Sequence, residues 1–266
     1  MNVIPGSVRS LDAAAAFVDR VGLALVFPKE GVALPSLFEA VAGPSPTPWA
    51  EEREGKLTMT PDLALVWAWK DQLPEARRAC AGKHVRGVPA LVSLALLPAL
   101  YALTGRSGAP DDFRDAVLPP LEREVAEAVL ESAPADARAI RRVIGRRDTA
   151  AVNRAIDSLQ RRLVLTRAGV IEKEQGWPGT AYDVLPRRYP LGALPEPERA
   201  RADLAAAVLR AAGTLSAADL ARALGFARAE AVDALERVAG GGEAEAGMEG
   251  RVPVWTAAVS RPAGPR

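Results

Sequence analysis

The chain has 266 residues and a mass of 28.0 kDa, room for two or three small domains of roughly 80–100 residues each. Hydrophobic residues make up 49% and charged residues 25%, so most of it can bury a core, and a net charge of +1 excludes a protein that is basic throughout. The single cysteine, Cys80, excludes an intrachain disulfide and any multi-cysteine zinc site.

Residues 1–12 lack a basic start followed by an apolar run, so no secretory signal is expected. Residues 10–26 read as a helix capped by Ser10, with Phe17, Val21 and Leu25 on one face. A short helix opens at Leu34-Pro35, and Gly43 to Pro48 is a Pro-rich loop. Thr60 caps the next helix, with Pro61 in its first turn and Pro74 near its end. Within it, Trp67 and Trp69 are two residues apart and cannot share a helical face, so one is expected in the core and the other in a neighbouring element or cleft. The longest apolar run, Ala90 to Leu103, contains Ser93 and Pro98. It is too short to cross a membrane and reads as a buried helix. Residues 1–112 therefore read as an N-terminal helical region. A cytoplasmic location with no membrane partner fits the lone cysteine and the missing signal.

The charge is concentrated further along. Residues 138–167 hold nine arginines (Arg138, Arg141, Arg142, Arg146, Arg147, Arg154, Arg161, Arg162 and Arg167) against two acids, Asp148 and Asp157. They fall on a pattern of helix (121–130), helix (136–144), a turn at Gly145, a third helix opened by Asp148 or Thr149, and two strands at 163–167 and 180–185 around a tip at 170–179. That order predicts a winged helix-turn-helix domain over residues 113–192. In the third helix Val152, Ile156, Leu159 and Leu163 form the core stripe. The outward face is then expected to carry Thr149, Asn153, Arg154, Asp157, Gln160 and Arg161. Arg146, Arg147, Arg154 and Arg161 suit phosphates, and Asn153 and Arg154 suit base edges. Trp177, between Gly176 and Pro178 in the tip, suits a minor groove or an exposed base. Double-stranded DNA is the expected partner. An Arg-rich solvated face, or a site for an acidic protein, is the alternative.

The same order recurs over residues 193–266, with helices at 199–212, 216–224 and 228–239, a flexible tip from Gly240, and a closing strand at 252–259. This copy is acidic, with six arginines and ten acids over residues 195–250. It should repel phosphate and could instead face a protein partner. The fold class expected from all this is mainly α with small β wings: tandem winged-helix units behind a helical region. Neither a cofactor nor a metal is expected. The chain has no GK[ST] phosphate loop and no HExxH pattern, and its one histidine, His84, has no nucleophile-elbow partner.

Three stretches together resemble the AlkZ-like (YcaQ-like) winged-helix DNA glycosylases: Gly22 to Pro28 (GLALVFP), the Trp67 to Pro74 segment (WAWKDQLP), and the paired winged-helix pattern. The resemblance implies tandem winged helices wrapped on duplex DNA, and removal of alkylated purines or unhooking of crosslinks. It implies a catalytic glutamine-x-glutamine (or aspartate) motif just after the early Gly-Leu. Here that place reads Leu25-Val26-Phe27, and the only glutamines are Gln72, Gln160 and Gln175. Leucine and phenylalanine cannot hydrogen-bond a water or a developing cationic sugar. The chain thus reads as a DNA-binding, non-catalytic relative with no assignable catalytic residue. An active glycosylase with relocated chemistry at Asp71, with Lys70 or Gln72, and a protein-interaction module stay open beside it.

Overall fold

The computed structural model describes residues 8–43, 49–53 and 55–258. The first seven residues of the segment read for a signal, most of the Pro-rich loop at 43–48, and the last residue of the expected 252–259 strand lie outside them.

Helix α1 (Leu11–Val21) starts where expected, with the Ser10 hydroxyl accepting the Ala13 N–H at 3.1 Å. It does not run on to residue 26. Gly22 takes φ 76, ends the helix by donating to the Val18 carbonyl, and lets the chain enter strand β1 (Leu23–Leu25). A Cβ on Gly22 would lie 2.9 Å from Leu96 Cδ2 and 3.1 Å from Ala207 Cβ, so the backbone needs glycine for space as well as for φ. Helix α2 (Leu37–Ala42) carries a capping box between Ser36 and Glu39. A small hairpin, β2 (Ala50–Arg53) with β3 (Lys56–Met59), precedes α3 (Pro61–Glu75), which Thr60 caps.

The run expected as one buried helix at 90–103 is two elements. Strands β4 (Cys80–Val85) and β5 (Val88–Val92) form a hairpin, the chain bends at Ser93, and only then does α4 (Leu97–Ala102) begin. Strand β5 lies between β1 and β4 with both faces covered, so its sequence is apolar without alternation. A run of that kind has no period to distinguish a central strand from a buried helix.

A 3-10 turn at Asp112–Asp115 leads to α5 (Pro120–Ser132), α6 (Ala137–Val143), α7 (Thr149–Arg161) and the hairpin β6 (Leu165–Ile171) with β7 (Gly179–Val184). After the short α8 (Leu185–Arg188) come α9 (Pro197–Ala212), β8 (Thr214–Ser216), α10 (Ala217–Leu224), α11 (Arg228–Gly240), β9 (Ala244–Glu249) and β10 (Val252–Ala257). Strand β9 occupies what reads in the sequence as a flexible tip.

The expected fold class is overturned. The strands are not small wings on a helical protein: β6 and β7 are the outer two strands of a five-stranded antiparallel sheet, β1-β5-β4-β6-β7. The reason is that the outer edge of β6 meets β4, pairing Ala81 with Arg167, and the Thr166 hydroxyl donates to the Ala81 carbonyl at 2.9 Å. Nor is the N-terminal region simply helical, since it supplies three strands of that sheet and the β2–β3 hairpin. Its order, helix–strand–helix–helix–hairpin, is the order of the C-terminal unit, and their sheets match: β1-β5-β4 and β8-β10-β9. The central unit fits too, because Ala135 and Tyr182 exchange two backbone hydrogen bonds (3.1 and 2.9 Å) where the first strand would pair. The chain is three copies of one supersecondary unit, where the sequence discloses two.

Strand alternation divides the core. Leu23, Leu25, Cys80, Ala90 and Val92 face α4 and the third unit, while Ala24, Ala81 and Leu91 face α1–α3. The central unit has its own core around Phe113, Ile140, Ile156 and Leu159.

Candidate nucleic-acid interface

Helix α7 is capped by Asp148, whose carboxylate accepts the Ala151 N–H at 2.9 Å. Val152, Ala155, Ile156 and Leu159 are buried against α5 and α6. Thr149, Asn153, Arg154 and Arg161 are exposed, as are Arg142 and Arg147 on the segment before it. Arg142, Arg147, Arg154 and Arg161 make no ion pair among the described residues. Other members of the basic stretch are engaged. Arg146 is bonded to both carboxylate oxygens of Glu124 (2.9 and 3.0 Å), Arg162 meets Glu122 at 3.3 Å, and Arg141 donates to the Thr149 hydroxyl at 2.6 Å.

Gln160 is not on the outward face. It is fully buried, its amide oxygen accepting the Lys83 N–H at 3.3 Å. The cause is again the joined sheet: β4 covers the flank of α7 that an isolated unit would leave to solvent. Lys83 also takes up Asp157 at 2.5 Å. His84 packs beside them, with 2.8 Å between its Nδ1 and the Gln160 carbonyl oxygen. Burial lowers the imidazole pKa from the usual 6.5 to about 4. The folded state thus keeps this ring neutral while the unfolded chain protonates it. The His84 contribution to stability is therefore unchanged above pH 6.5 and falls as pH drops towards 4, by about 3 kcal/mol in total. Chemical denaturation across that window should give a steeper pH slope for the wild type than for His84→Gln, and equal slopes would contradict the assignment. Cys80 is equally inward: its thiol is fully buried and burial pushes its pKa up to about 12, so it is a core side chain and not a nucleophile.

Sequence reasoning misses Arg86. It sits with φ 53 in the β4–β5 turn, exposed and without an ion pair among the described residues. A Cβ on the next residue, Gly87, would lie 3.2 Å from Arg161 Cδ, so the turn sits against the end of α7, while the Arg86 side chain runs to the third unit, where a Cβ on Gly225 would lie 3.3 Å from its Nη1. An Arg-Gly pair between two β-prone runs is the available signal.

The two tryptophan motifs converge. Trp69 enters the core and Trp67 stays 44% exposed. Trp177, 76% exposed at the β6–β7 tip, faces the same cavity of about 550 Å³. Lys70 Nζ lies 4.4 Å from the Trp67 ring centroid and 2.5 Å from Asp71, and Arg167 approaches the other Asp71 oxygen at 4.0 Å. Asp71 is thus held between two cations, and its Oδ1 is closed off from solvent.

The place where the resembled family carries its polar pair is apolar in three dimensions as well. Leu25 and Val26 are buried, and Phe27 packs with Trp49 and Phe38 at centroid distances of 4.9 and 6.0 Å. Among the described residues no group of three or more His, Cys, Asp or Glu side chains is arranged to hold a metal, and no helix is long and apolar enough to cross a membrane.

Comparison with known proteins agrees with this architecture. The fold is similar to that of the Streptomyces sahachiroi DNA glycosylase AlkZ, with a TM-score of 0.50 and 16% identity over 95% of this chain. The chain spans 66% of that protein's length. The DIP2311 protein from Corynebacterium diphtheriae matches over 74% of this chain and 39% of its own, at 16% identity and a TM-score of 0.23, too low to support an argument. No curated protein matches. The model of the AlkZ-related family matches residues 8–225, most of the chain. The chain belongs to the AlkZ-related family.

Proposed function

We propose that this protein binds duplex DNA through its central unit and does not cleave the glycosidic bond. In this reading the three units are winged helices and α7 is the helix that enters the major groove. Arg142, Arg147, Arg154 and Arg161 meet phosphates, and Asn153 lies nearest the base edges. Thr149 and Arg146 flank the contact, with Arg146 already matched by Glu124. The observation that carries the reading is the set of exposed arginines on α6, α7 and the turn between them that have no acidic partner among the described residues. Guanidinium groups left in this state gain most from an external polyanion, because each phosphate neutralised releases condensed counterions. In the third unit Arg199, Arg201, Arg210 and Arg222 are paired with Asp203, Glu230, Glu243 and Asp219; Arg228, Arg237 and Arg251 have no ion pair among the described residues, but they stand in or beside a stretch with ten acids to six arginines over residues 195–250. The absence of catalysis rests on the apolar packing at Leu25, Val26 and Phe27.

The test is fluorescence anisotropy of a labelled random duplex across a salt series. Four phosphate contacts predict a log–log slope of about −3 to −4. No binding at low salt, or a flat slope, would overturn the proposal.

A further inference from the structure

The cavity between α3 and the β6–β7 hairpin takes no part in the phosphate contacts just described, and its lining has a different chemistry. We propose that it is a binding site for a single unpaired nucleobase, an inference that rests on the duplex-binding reading. The walls come from two different units: Trp67 and Gln72 from α3, Trp177 from the hairpin tip. At about 550 Å³ the space is within the range that holds a small ligand. Both indoles are exposed, and stacking on a base covers such a face whatever the base identity.

The polar groups sort the occupant. The Gln72 amide is exposed in the cleft and makes no hydrogen bond among the described residues, so it has a donor and an acceptor free for the edge of a heterocycle. Glu75 and Glu172 also line the cleft, and they keep a phosphate out while tolerating an uncharged ring. The backbone of the bound strand stays outside. The Trp67 platform is fixed before binding: Lys70 lies against the ring, Asp71 anchors Lys70, and Arg167 stands behind Asp71. Asp71 is accordingly a positioning residue. Trp177 is carried on the hairpin that follows α7, in the unit that this reading seats on the duplex.

The experiment compares two labelled duplexes of the same sequence, one fully paired and one with a single bulged adenine, by anisotropy. The full chain is used as wild type, Trp67→Ala and Trp67→Phe. Wild type is expected to bind the bulged duplex about tenfold more tightly than the paired one. Trp67→Ala should bring the ratio to about one, and Trp67→Phe should keep most of it. Because the readout is a ratio within each variant, a general loss of affinity does not imitate the result. A wild-type ratio of one with normal paired-duplex binding overturns the cleft alone, as does a ratio that survives Trp67→Ala. Failure to bind either duplex removes the underlying reading along with it.

Discussion

Replacing Arg154 and Arg161 together by alanine is expected to weaken binding of a paired duplex by one to two orders of magnitude at moderate salt, and to flatten the log–log salt slope by about 2. The two side chains lie on the exposed side of α7, and neither has an acid to neutralise it. Their truncation leaves the core stripe of the helix untouched, so the folded state should be preserved. Arg146→Ala supplies the comparison. Its guanidinium already makes paired bonds to Glu124, and binding a phosphate would mean giving those up. Its removal should change affinity and slope less than either of the other two. An unchanged slope in the double variant would take α7 out of the interface.

The largest expected loss of stability lies away from that face. Asp112 is buried and accepts from the Tyr101 hydroxyl on both oxygens (2.8 and 2.9 Å), from Arg106 at 3.1 Å and from the Gly108 N–H at 2.7 Å. Burial raises the Tyr101 hydroxyl above its ordinary pKa, so it stays a donor. Arg106, with only 10% of its side chain exposed, has Asp112 as its one acidic partner among the described residues. Asp112→Ala would strand this cation together with a phenol and a backbone amide, at a cost of about 3–5 kcal/mol. Tyr101→Phe removes one donor and leaves the ion pair, so its cost should be only about 1.5–3 kcal/mol. Guanidinium denaturation checks the order of the two. Equal midpoints would show that the ion pair is not what this junction depends on.

The legible parts of the sequence were those with local causes. Ser10, Thr60 and Asp148 cap the helices they were expected to cap, and Trp67 and Trp69 divide between cleft and core. The illegible parts depend on partners far away in the chain. Strand β5 has no period because both its faces are covered. Gln160 reads as outward from the α7 repeat alone, and is buried by Lys83 and His84, whose neighbourhood only the joined sheet creates. The first copy of the repeated unit is hidden in the sequence for the same reason: its hairpin is buried and apolar, and the β2–β3 insertion separates its second and third helices. The arginines of α7 can be read directly, whereas Arg86 lies in a turn some seventy residues earlier in the chain and its side chain reaches the third unit at Gly225.

The pairing of β4 with β6 also bears on how the polypeptide protects itself. A fragment cut to residues 113–192 would retain its hydrophobic centre yet present β6 as a bare edge, inviting self-association into longer sheets. The strand that meets this edge, β4, comes from the unit that precedes it in the chain, so the central unit depends on its N-terminal neighbour to cover what it cannot cover itself.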